Sequence, residues 1–139
     1  MDSLKGFAGG SNGKIISTTD GGHNWSVIYR TELSYNWFNS IYFSDQLNGW
    51  AVGGFDNLIV RTTNGGQNWA KLNTGINEPL WNSNNDVSFV SPTTGWVFNS
   101  GRVMYKTTNG GLSWFNQSKD FLREDLVSVQ FLNELKGFL

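Results

Sequence analysis

The residues most able to bind a ligand are aromatic side chains that stand near amides, carboxylates or an arginine in segments rich in turn residues. An aromatic ring can stack on a sugar or anchor a protein partner, and the neighbouring polar groups can hydrogen-bond the same ligand. Each of these aromatics could instead cover the end of a packed core. The candidate residues are Tyr35, Trp37, Asp56, Trp81, Asn84, Asp86, Phe121 and Arg123.

Patterns that would carry catalysis are missing from the sequence. A sialidase-like site needs several converging arginines, but the four arginines fall at unrelated places in the chain. The carboxylates stand in no recognisable glycosidase arrangement, and there is neither a Gly-x-Ser-x-Gly motif nor a phosphate-binding loop. Because the chain has no cysteine, thiol catalysis, disulfides and thiolate metal sites are excluded. We therefore predict no catalytic residues and a protein that is not an enzyme.

The oxygen-rich stretch Asn82–Asp86 is the candidate for a metal site. Ca²⁺ prefers carboxylate and carbonyl oxygens, but this stretch has one carboxylate and lacks the spacing of a calcium-binding loop. A solvated loop is the better interpretation. We predict no bound metal and no cofactor.

Charge and hydropathy exclude two classes of partner. The chain has 10 basic and 11 acidic residues and a net charge of -1, whereas nucleic-acid binding normally needs a clustered basic excess. Its apolar runs are only a few residues long, so the sequence predicts no membrane insertion.

The elements that position these residues are set by an internal repeat. An eight-residue segment begins at Thr18, recurs at Thr62 and recurs again at Thr107, at offsets of 44 and 45 residues. A glycine followed by an aromatic keeps the same period, and a phenylalanine lies six residues before three of these glycines. The pairs are Gly6-Phe7, Gly49-Trp50, Gly95-Trp96 and Gly137-Phe138, and the phenylalanines are Phe43, Phe89 and Phe131.

Each period contains four short runs of aromatic and β-branched residues, which predict strands. In the second period these runs cover about 39–43, 49–53, 57–62 and 68–73. Later in the chain, the segment 119–126 could form a single helical turn. Four short antiparallel strands in each period of 40–50 residues are typical of a β-propeller blade. The sequence therefore predicts an all-β fold made of propeller blades, with a β-sandwich as the alternative.

The repeated segment has the composition of a tight turn. Its paired glycines supply positive φ, and the preceding Asp or Asn oxygen can accept hydrogen bonds from the N–H groups of the turn. The tryptophan that follows can fold over the hairpin, and we expect the tryptophans other than Trp37 and Trp81 to lie in the core. The turn residues are Asp20, Gly21, Gly22, Trp25, Asn64, Gly65, Gly66, Trp69, Asn109, Gly110, Gly111 and Trp114.

The pattern Ser/Thr-x-Asp-Gly-Gly-x-x-Trp resembles the Asp-box, or bacterial neuraminidase repeat. The longer pattern, with Gly-Trp-Ala-Val-Gly at Gly49–Gly53 and Ile59 before the turn, resembles the photosystem II stability/assembly-factor type of that repeat. Two of the three boxes carry Asn in place of Asp. The resemblance implies a propeller of several blades but no single activity, because sialidases, xyloglucan-cleaving glycosidases, receptors and assembly factors all use the box. Such repeats also occur in large secreted bacterial proteins.

The two ends of the chain fall at one phase of the repeat, since Leu4-Lys5-Gly6-Phe7 matches Leu135-Lys136-Gly137-Phe138. We divide the chain into a partial blade at about 4–43, repeats at 44–89 and 90–131, and the start of another at 132–139. It should open with strands two to four of one blade and close with strand one of another. Either it is a slice of a longer propeller, or two copies close a six-bladed ring, so further blades or another copy are expected partners.

Up-and-down strand order places the segments 29–39, 73–86 and 116–125 on one face with the shorter loops 11–12, 55–57 and 99–101. The Asp-boxes then lie on the opposite face. The first face is where we expect a ligand. The predicted function is a non-catalytic binding or scaffolding module for protein–protein interaction, extracellular or at a bacterial cell surface, with the periplasm or thylakoid lumen as the alternative location. The alternative function is a carbohydrate-binding or glycoside hydrolase propeller.

Overall fold

The computed structural model describes residues 4–55, 57–76, 84–99, 103–118 and 128–138. Four of the candidate site residues lie outside these ranges, namely Asp56, Trp81, Phe121 and Arg123. The segment 119–126, where one helical turn was conceivable, lies outside them too. Among the described residues, no helical segment has the length and hydropathy of a membrane span.

Every regular element in the described ranges is a β-strand, and the strands form four antiparallel sheets, here called blades 1 to 4. Blade 1 contains β1 (Gly6–Gly10), β2 (Lys14–Thr18) and β3 (Ser26–Arg30). Blade 2 contains β4 (Phe38–Phe43), β5 (Gly49–Gly53), β6 (Leu58–Thr62) and β7 (Ala70–Lys71). Blade 3 contains β8 (Asn84–Phe89), β9 (Gly95–Asn99), β10 (Met104–Thr107) and β11 (Phe115–Asn116). Blade 4 contains β12 (Gln130–Asn133) and β13 (Lys136–Phe138).

This architecture confirms the all-β class with blades of four antiparallel strands. In blade 2 the first three strands lie within one residue of their predicted bounds, but the fourth is reduced to two residues. It is short because the turn extends to Asn68, whose N–H bonds Asn64 Oδ1 at 3.0 Å. Blade 4 differs from the expectation of a single strand, since β13 pairs with β12 and places Gly137 opposite Phe131.

The blades are joined by stacked aromatic rings. Trp50 of blade 2 stacks on Phe89 of blade 3 with ring centroids 3.5 Å apart and planes 7° apart. Trp96 stacks in the same way on Phe131, at 3.7 Å and 6°. The pair between blades 1 and 2, Phe7 and Phe43, is looser, at 4.6 Å and 23°. The glycine-aromatic pairs and the phenylalanines of the repeat are therefore the two sides of one recurring interface.

The glycine of each pair is required by the phenylalanine opposite it. Phe43 faces Gly49 across the ladder, and a Cβ on that glycine would lie 2.6 Å from the ring. A Cβ on Gly95 would lie 2.4 Å from the Phe89 ring. Real Cβ atoms do not approach a ring this closely, so the phenylalanine can lie flat across the sheet only over a glycine. This contact explains the spacing of six residues between the two landmarks.

The turn tryptophans complete these interfaces in two of the three boxes. Trp69 meets Phe43 edge-on at 5.8 Å and 86°, and Trp114 meets Phe89 at 6.2 Å and 82°. Trp69 is buried and Trp114 is half-buried, but Trp25 is 44% exposed. The expectation that Trp25 lies in the core is wrong, because blade 1 has no described strand equivalent to β4 or β8 to supply the phenylalanine.

Candidate functional site

The Asp-box turns have the same backbone in all three copies. Gly21 and Gly22 have φ values of 72° and 95°, and the two later glycine pairs have the same sign. In the first box Thr18 Oγ1 accepts the N–H of Gly22 at 3.0 Å and donates to Asp20 Oδ1 at 2.7 Å. The threonine hydroxyl thus bonds the glycine N–H, a role that the sequence analysis did not assign. The recurrence of Thr two residues before Asp or Asn was the signal for it.

The acidic group of the first box is held by hydrogen bonds within its own turn. Besides the Thr18 hydroxyl, Asp20 accepts the backbone N–H of Asn24 at 2.9 Å and its side-chain amide at 2.7 Å. These bonds lower the pKa of Asp20 from 3.8 to about 2, with the Thr18 bond as the largest cause. Asn64 and Asn109 accept the equivalent backbone N–H through Oδ1. The box stabilises a turn and leaves no acid of raised pKa.

The boxes dock against the first hairpin of their own blade, which places them on one face. Gly65 N–H donates to Leu47 O at 2.9 Å, and Gly110 N–H donates to Thr93 O at 2.8 Å. The boxes also bond the preceding blade, since Lys5 Nζ donates to Gly65 O at 2.7 Å and Trp50 Nε1 donates to Gly110 O at 3.0 Å. The second and third boxes therefore help to join neighbouring blades.

Three aromatic side chains meet on the opposite face, and we call them the loop-face aromatic cluster: Tyr35, Trp37 and Phe55. Trp37 and Phe55 pack edge to face with centroids 4.9 Å apart, and Tyr35 lies 5.9 Å from Phe55. Tyr35 is 58% exposed, whereas the other two rings are half-buried. Phe55 was not among the candidate site residues. Phe55 could have been selected from the sequence, because it lies in a loop between Gly54 and Asn57 on the same face as Tyr35.

Asn36 holds this cluster in place from below. It is 4% exposed, and its backbone O accepts the N–H of Gly13 at 2.6 Å. Its Oδ1 accepts the N–H of Phe55 at 3.3 Å. Gly54, at a φ of 57°, lies so close that a Cβ there would be 2.8 Å from Asn36 Oδ1. Because Asn36 joins loops of blades 1 and 2, the cluster is supported by both blades and does not depend on one flexible loop.

A groove of about 300 Å³ runs beside the cluster between the outer strands of blades 1 and 2. Leu33 and Leu58 supply apolar lining, and Arg30, Glu32 and Lys71 supply charges of both signs. Tyr29 also lines it, and burial, together with the charge of Glu32, raises the pKa of its hydroxyl. Its lining therefore combines apolar and charged side chains.

Asp86 serves the packing of the blades. Ser40 of blade 2 donates to Oδ1, as does the N–H of Val87 at 2.9 Å. Ser128 Oγ and the N–H of Val129 donate to Oδ2 at 2.7 and 2.8 Å. Both oxygens are thus engaged by three successive blades. Asp86 was predicted to bind a ligand, but in the structure it joins blades and is not a member of the loop-face aromatic cluster.

Asn84 is fully buried, and its backbone O accepts from Asn39 Nδ2 at 2.9 Å. It is therefore placed to link blades 2 and 3 and does not present its amide to solvent. Within the described ranges no three or more His, Cys, Asp or Glu residues are grouped to hold a metal. Of the stretch proposed for Ca²⁺, Asn82 and Ser83 lie outside those ranges, and the carboxylate of Asp86 is occupied by hydroxyl and amide donors.

Comparisons with known proteins identify related chains. The model of the family described as photosynthesis system II assembly factor YCF48 matches residues 1–80. The chloroplastic photosystem II stability/assembly factor HCF136 of Oryza sativa subsp. japonica is 36% identical over 55 residues, which are 39% of this chain and 13% of that protein. These relatives are photosystem II assembly factors, not the large secreted bacterial proteins in which such repeats also occur.

Two solved structures share the fold. YCF48 bound to D1 peptide is similar with a TM-score of 0.72 and 26% identity, over 83% of this chain and 38% of that chain. YCF48 from Cyanidioschyzon merolae is similar with a TM-score of 0.66 and 28% identity, over 83% of this chain and 36% of that chain. The chain therefore spans well under half of the length of each of these relatives.

Proposed function

Because the chain belongs to the photosynthesis system II assembly factor YCF48 family, we propose that it is a non-catalytic module that binds a segment of a partner protein on its loop face. The observation that carries the proposal is the loop-face aromatic cluster. Tyr35 presents an exposed ring beside the fixed rings of Trp37 and Phe55. Exposed aromatics on a rigid support are the usual anchors of protein interfaces, since little side-chain freedom is lost on binding.

A peptide is the partner that best fits this surface. The groove beside the cluster has two apolar side chains and charges of both signs, which suit the alternating chemistry of a polypeptide better than a uniformly charged ligand. A relative of similar fold is solved as YCF48 bound to D1 peptide. We therefore propose that this chain takes a peptide of the D1 type along the loop face of blades 1 and 2.

The perturbed pKa values of two described aspartates do not suit a general acid. The two aspartates with perturbed pKa values, Asp20 and Asp45, are both held below the usual range. The N–H of Asn48 is the main cause at Asp45, so both groups stay ionised in hairpin turns. A general acid needs the opposite shift. Their location on the Asp-box side separates them further from the aromatic cluster.

The compartment is proposed from the relatives. The rice relative is named chloroplastic, which supports the thylakoid-lumen alternative. The extracellular or cell-surface location predicted in the sequence analysis has no support from these relatives. We propose that the chain works in a photosynthetic setting.

Peptide binding can be measured with overlapping labelled peptides that cover the D1 sequence, by fluorescence polarisation. We expect at least one peptide to bind and Tyr35→Ala to weaken that binding by about tenfold or more, the usual effect of losing an aromatic anchor. Phe115→Ala is the matched control, because Phe115 is also 58% exposed but lies on the outer strand β11. The proposal fails if no peptide binds, or if the two variants weaken binding equally.

The carbohydrate alternative is separated by a second assay on the same proteins. Aromatic rings beside asparagines could also stack on a sugar. Binding to a glycan array that depends on Tyr35, with no peptide binding, would replace the protein-binding proposal with the carbohydrate one.

A further inference from the structure

Blades 2 and 3 differ at one pair of equivalent positions, at the loop-face end of their first two strands. In blade 2, Phe38 lies opposite Gly53 across the ladder and is buried. The counterparts in blade 3, a repeat of 46 residues later, are Asn84 and Asn99, which also lie opposite each other and are fully buried. Two amides therefore stand where the preceding blade has an aromatic ring and a glycine.

The neighbouring blade accounts for the smaller size of the side chain at position 84. A Cβ on Gly9 of blade 1 would lie 2.6 Å from Phe38 Cβ, so the aromatic residue needs a glycine there. The counterpart of Gly9 in blade 2 is Val52, which is fully buried. Because packed interiors have little free volume, the larger valine fits a shorter side chain at 84. Size alone would allow a leucine there, so it does not account for the amide.

Three buried asparagines at this junction each have one side-chain atom with no hydrogen-bond partner in the described part of the chain. The atoms are Asn84 Oδ1, Asn99 Nδ2 and Asn57 Oδ1, and each residue is at most 3% exposed. Asn99 is oriented by its other atom, since Oδ1 accepts the N–H of Val103 at 3.0 Å. Asn84 is oriented likewise, because Nδ2 donates at 3.5 Å to the backbone O of Leu58, the residue directly after Asn57. Two acceptors and one donor therefore remain, and buried polar atoms are costly to leave without partners.

We propose that these three amides form a binding site for a single buried water molecule, which joins blades 2 and 3. The water donates its two hydrogens to Asn84 Oδ1 and Asn57 Oδ1, and its oxygen accepts from Asn99 Nδ2. Side chains opposite each other in an antiparallel ladder have Cβ atoms about 4.5–5.5 Å apart, and a water can bridge amides that are turned towards other partners. Buried waters in proteins typically make about three hydrogen bonds, which this site supplies.

Water fits these groups better than a metal ion or an organic ligand does. Asn99 Nδ2 is a donor, and its positive hydrogens repel a cation. Ca²⁺ takes about 6–8 oxygen ligands, usually with carboxylates among them, whereas the carboxylate of Asp86 is already bonded to Ser40 and Ser128. The full burial of Asn84 and Asn99 suits a ligand no larger than water.

The water can be detected in solution by NMR, as magnetisation transfer between water and the side-chain amide hydrogens of Asn99. In the rotating frame this transfer has the opposite sign to hydrogen exchange, and we expect it in the wild-type protein.

Magnetic relaxation dispersion of the solvent counts the long-lived water molecules held by each chain. Asn84→Leu removes an acceptor while keeping a side chain of similar size, so we expect it to hold one such water fewer and to lose the transfer at Asn99. Asn39→Ala is the matched control at the same junction, because Asn39 Nδ2 donates at 2.9 Å to the backbone O of Asn84 and not to its side chain. This control should keep both signals.

Circular dichroism shows whether each variant folds, and the wild-type transfer is a test by itself if Asn84→Leu does not. The proposal is overturned if the wild-type protein shows no transfer from water to Asn99, or if folded Asn84→Leu holds as many long-lived waters as the wild type. Loss of the same water from Asn39→Ala would also overturn it, because the water would then not depend on the side-chain amides. No peptide is needed in these measurements, so their outcome is independent of peptide binding on the loop face.

Discussion

Single hydroxyl and carboxylate groups set the geometry of each turn. Thr18, Thr62 and Thr107 each accept the N–H of the second box glycine and donate to the following Asp or Asn oxygen. The Asn boxes keep both contacts without a charge, which is why replacing Asp leaves the turn intact. The carboxylate of the first box adds a second acceptor, which takes the side-chain amide of Asn24, and a dependence on pH.

We expect Asp20→Asn to flatten the pH dependence of stability in acid. The carboxyl has a pKa of about 2 in the folded protein against 3.8 ordinarily, so its stabilisation is complete above pH 3.8 and disappears as the pH falls through 2. The wild type should lose more of its melting temperature between pH 4 and pH 2 than the variant. Calorimetry over this range measures the difference, and parallel curves would contradict it.

At the scale of the strand, each interface between blades depends on one large aromatic ring and on a glycine opposite it, which has no side chain to displace the ring. Phe89 can stack on Trp50 because Gly95, opposite it in the ladder, leaves the space. Stacked and edge-on aromatic pairs contribute about 0.5–1.5 kcal/mol each beyond their burial. Each interface therefore depends on a glycine that looks replaceable when a strand is considered alone.

Gly95→Ala should lower the free energy of unfolding by about 1–3 kcal/mol, because its Cβ would overlap the Phe89 ring. Gly10→Ala is the control, since Gly10 lies in strand β1 with nothing within 4 Å of the added Cβ. Its effect should stay within about 0.5 kcal/mol. Urea denaturation gives both values, and equal losses would refute the steric account.

At the scale of the whole molecule, blades 2, 3 and 4 are linked by one polar row. Ser40, Asp86 and Ser128 stand three residues before Phe43, Phe89 and Phe131, and Asp86 accepts from both serines. A carboxylate between two hydroxyl donors fixes the spacing of three blades.

Asp86→Ala should destabilise the fold by about 2–3 kcal/mol, since it removes hydrogen bonds to a charged group. Ser40→Ala removes one donor and should cost about 1 kcal/mol. Denaturation reports the stability, and hydrogen exchange at Val129 N–H reports the link to blade 4. Loss of ligand binding at unchanged stability would show that Asp86 belongs to a binding site instead.

Local sequence was sufficient for the strands and turns. The 44-residue period, the paired glycines and the short β-branched runs predicted all-β blades, because hairpin geometry depends on residues that are neighbours in the chain. The same reasoning assigned the box to a structural role. It erred on Trp25, whose burial depends on a phenylalanine from another strand, and on blade 4, where three residues suffice for a second strand.

The tertiary structure decided which residues come together on the loop face. Tyr35 and Trp37 could be selected from sequence, but Phe55 joins them only because Asn36 bonds a loop 19 residues further along the chain. Asp86 looked like a ligand group until the serines of two other blades were found on its oxygens. The sequence by itself determined the repeat, the turns and the pairing of strands, which are contacts at short range. The tertiary structure decided which side chains face solvent and which are buried between blades, because those contacts join residues that lie from about half a repeat to a full repeat apart in the chain.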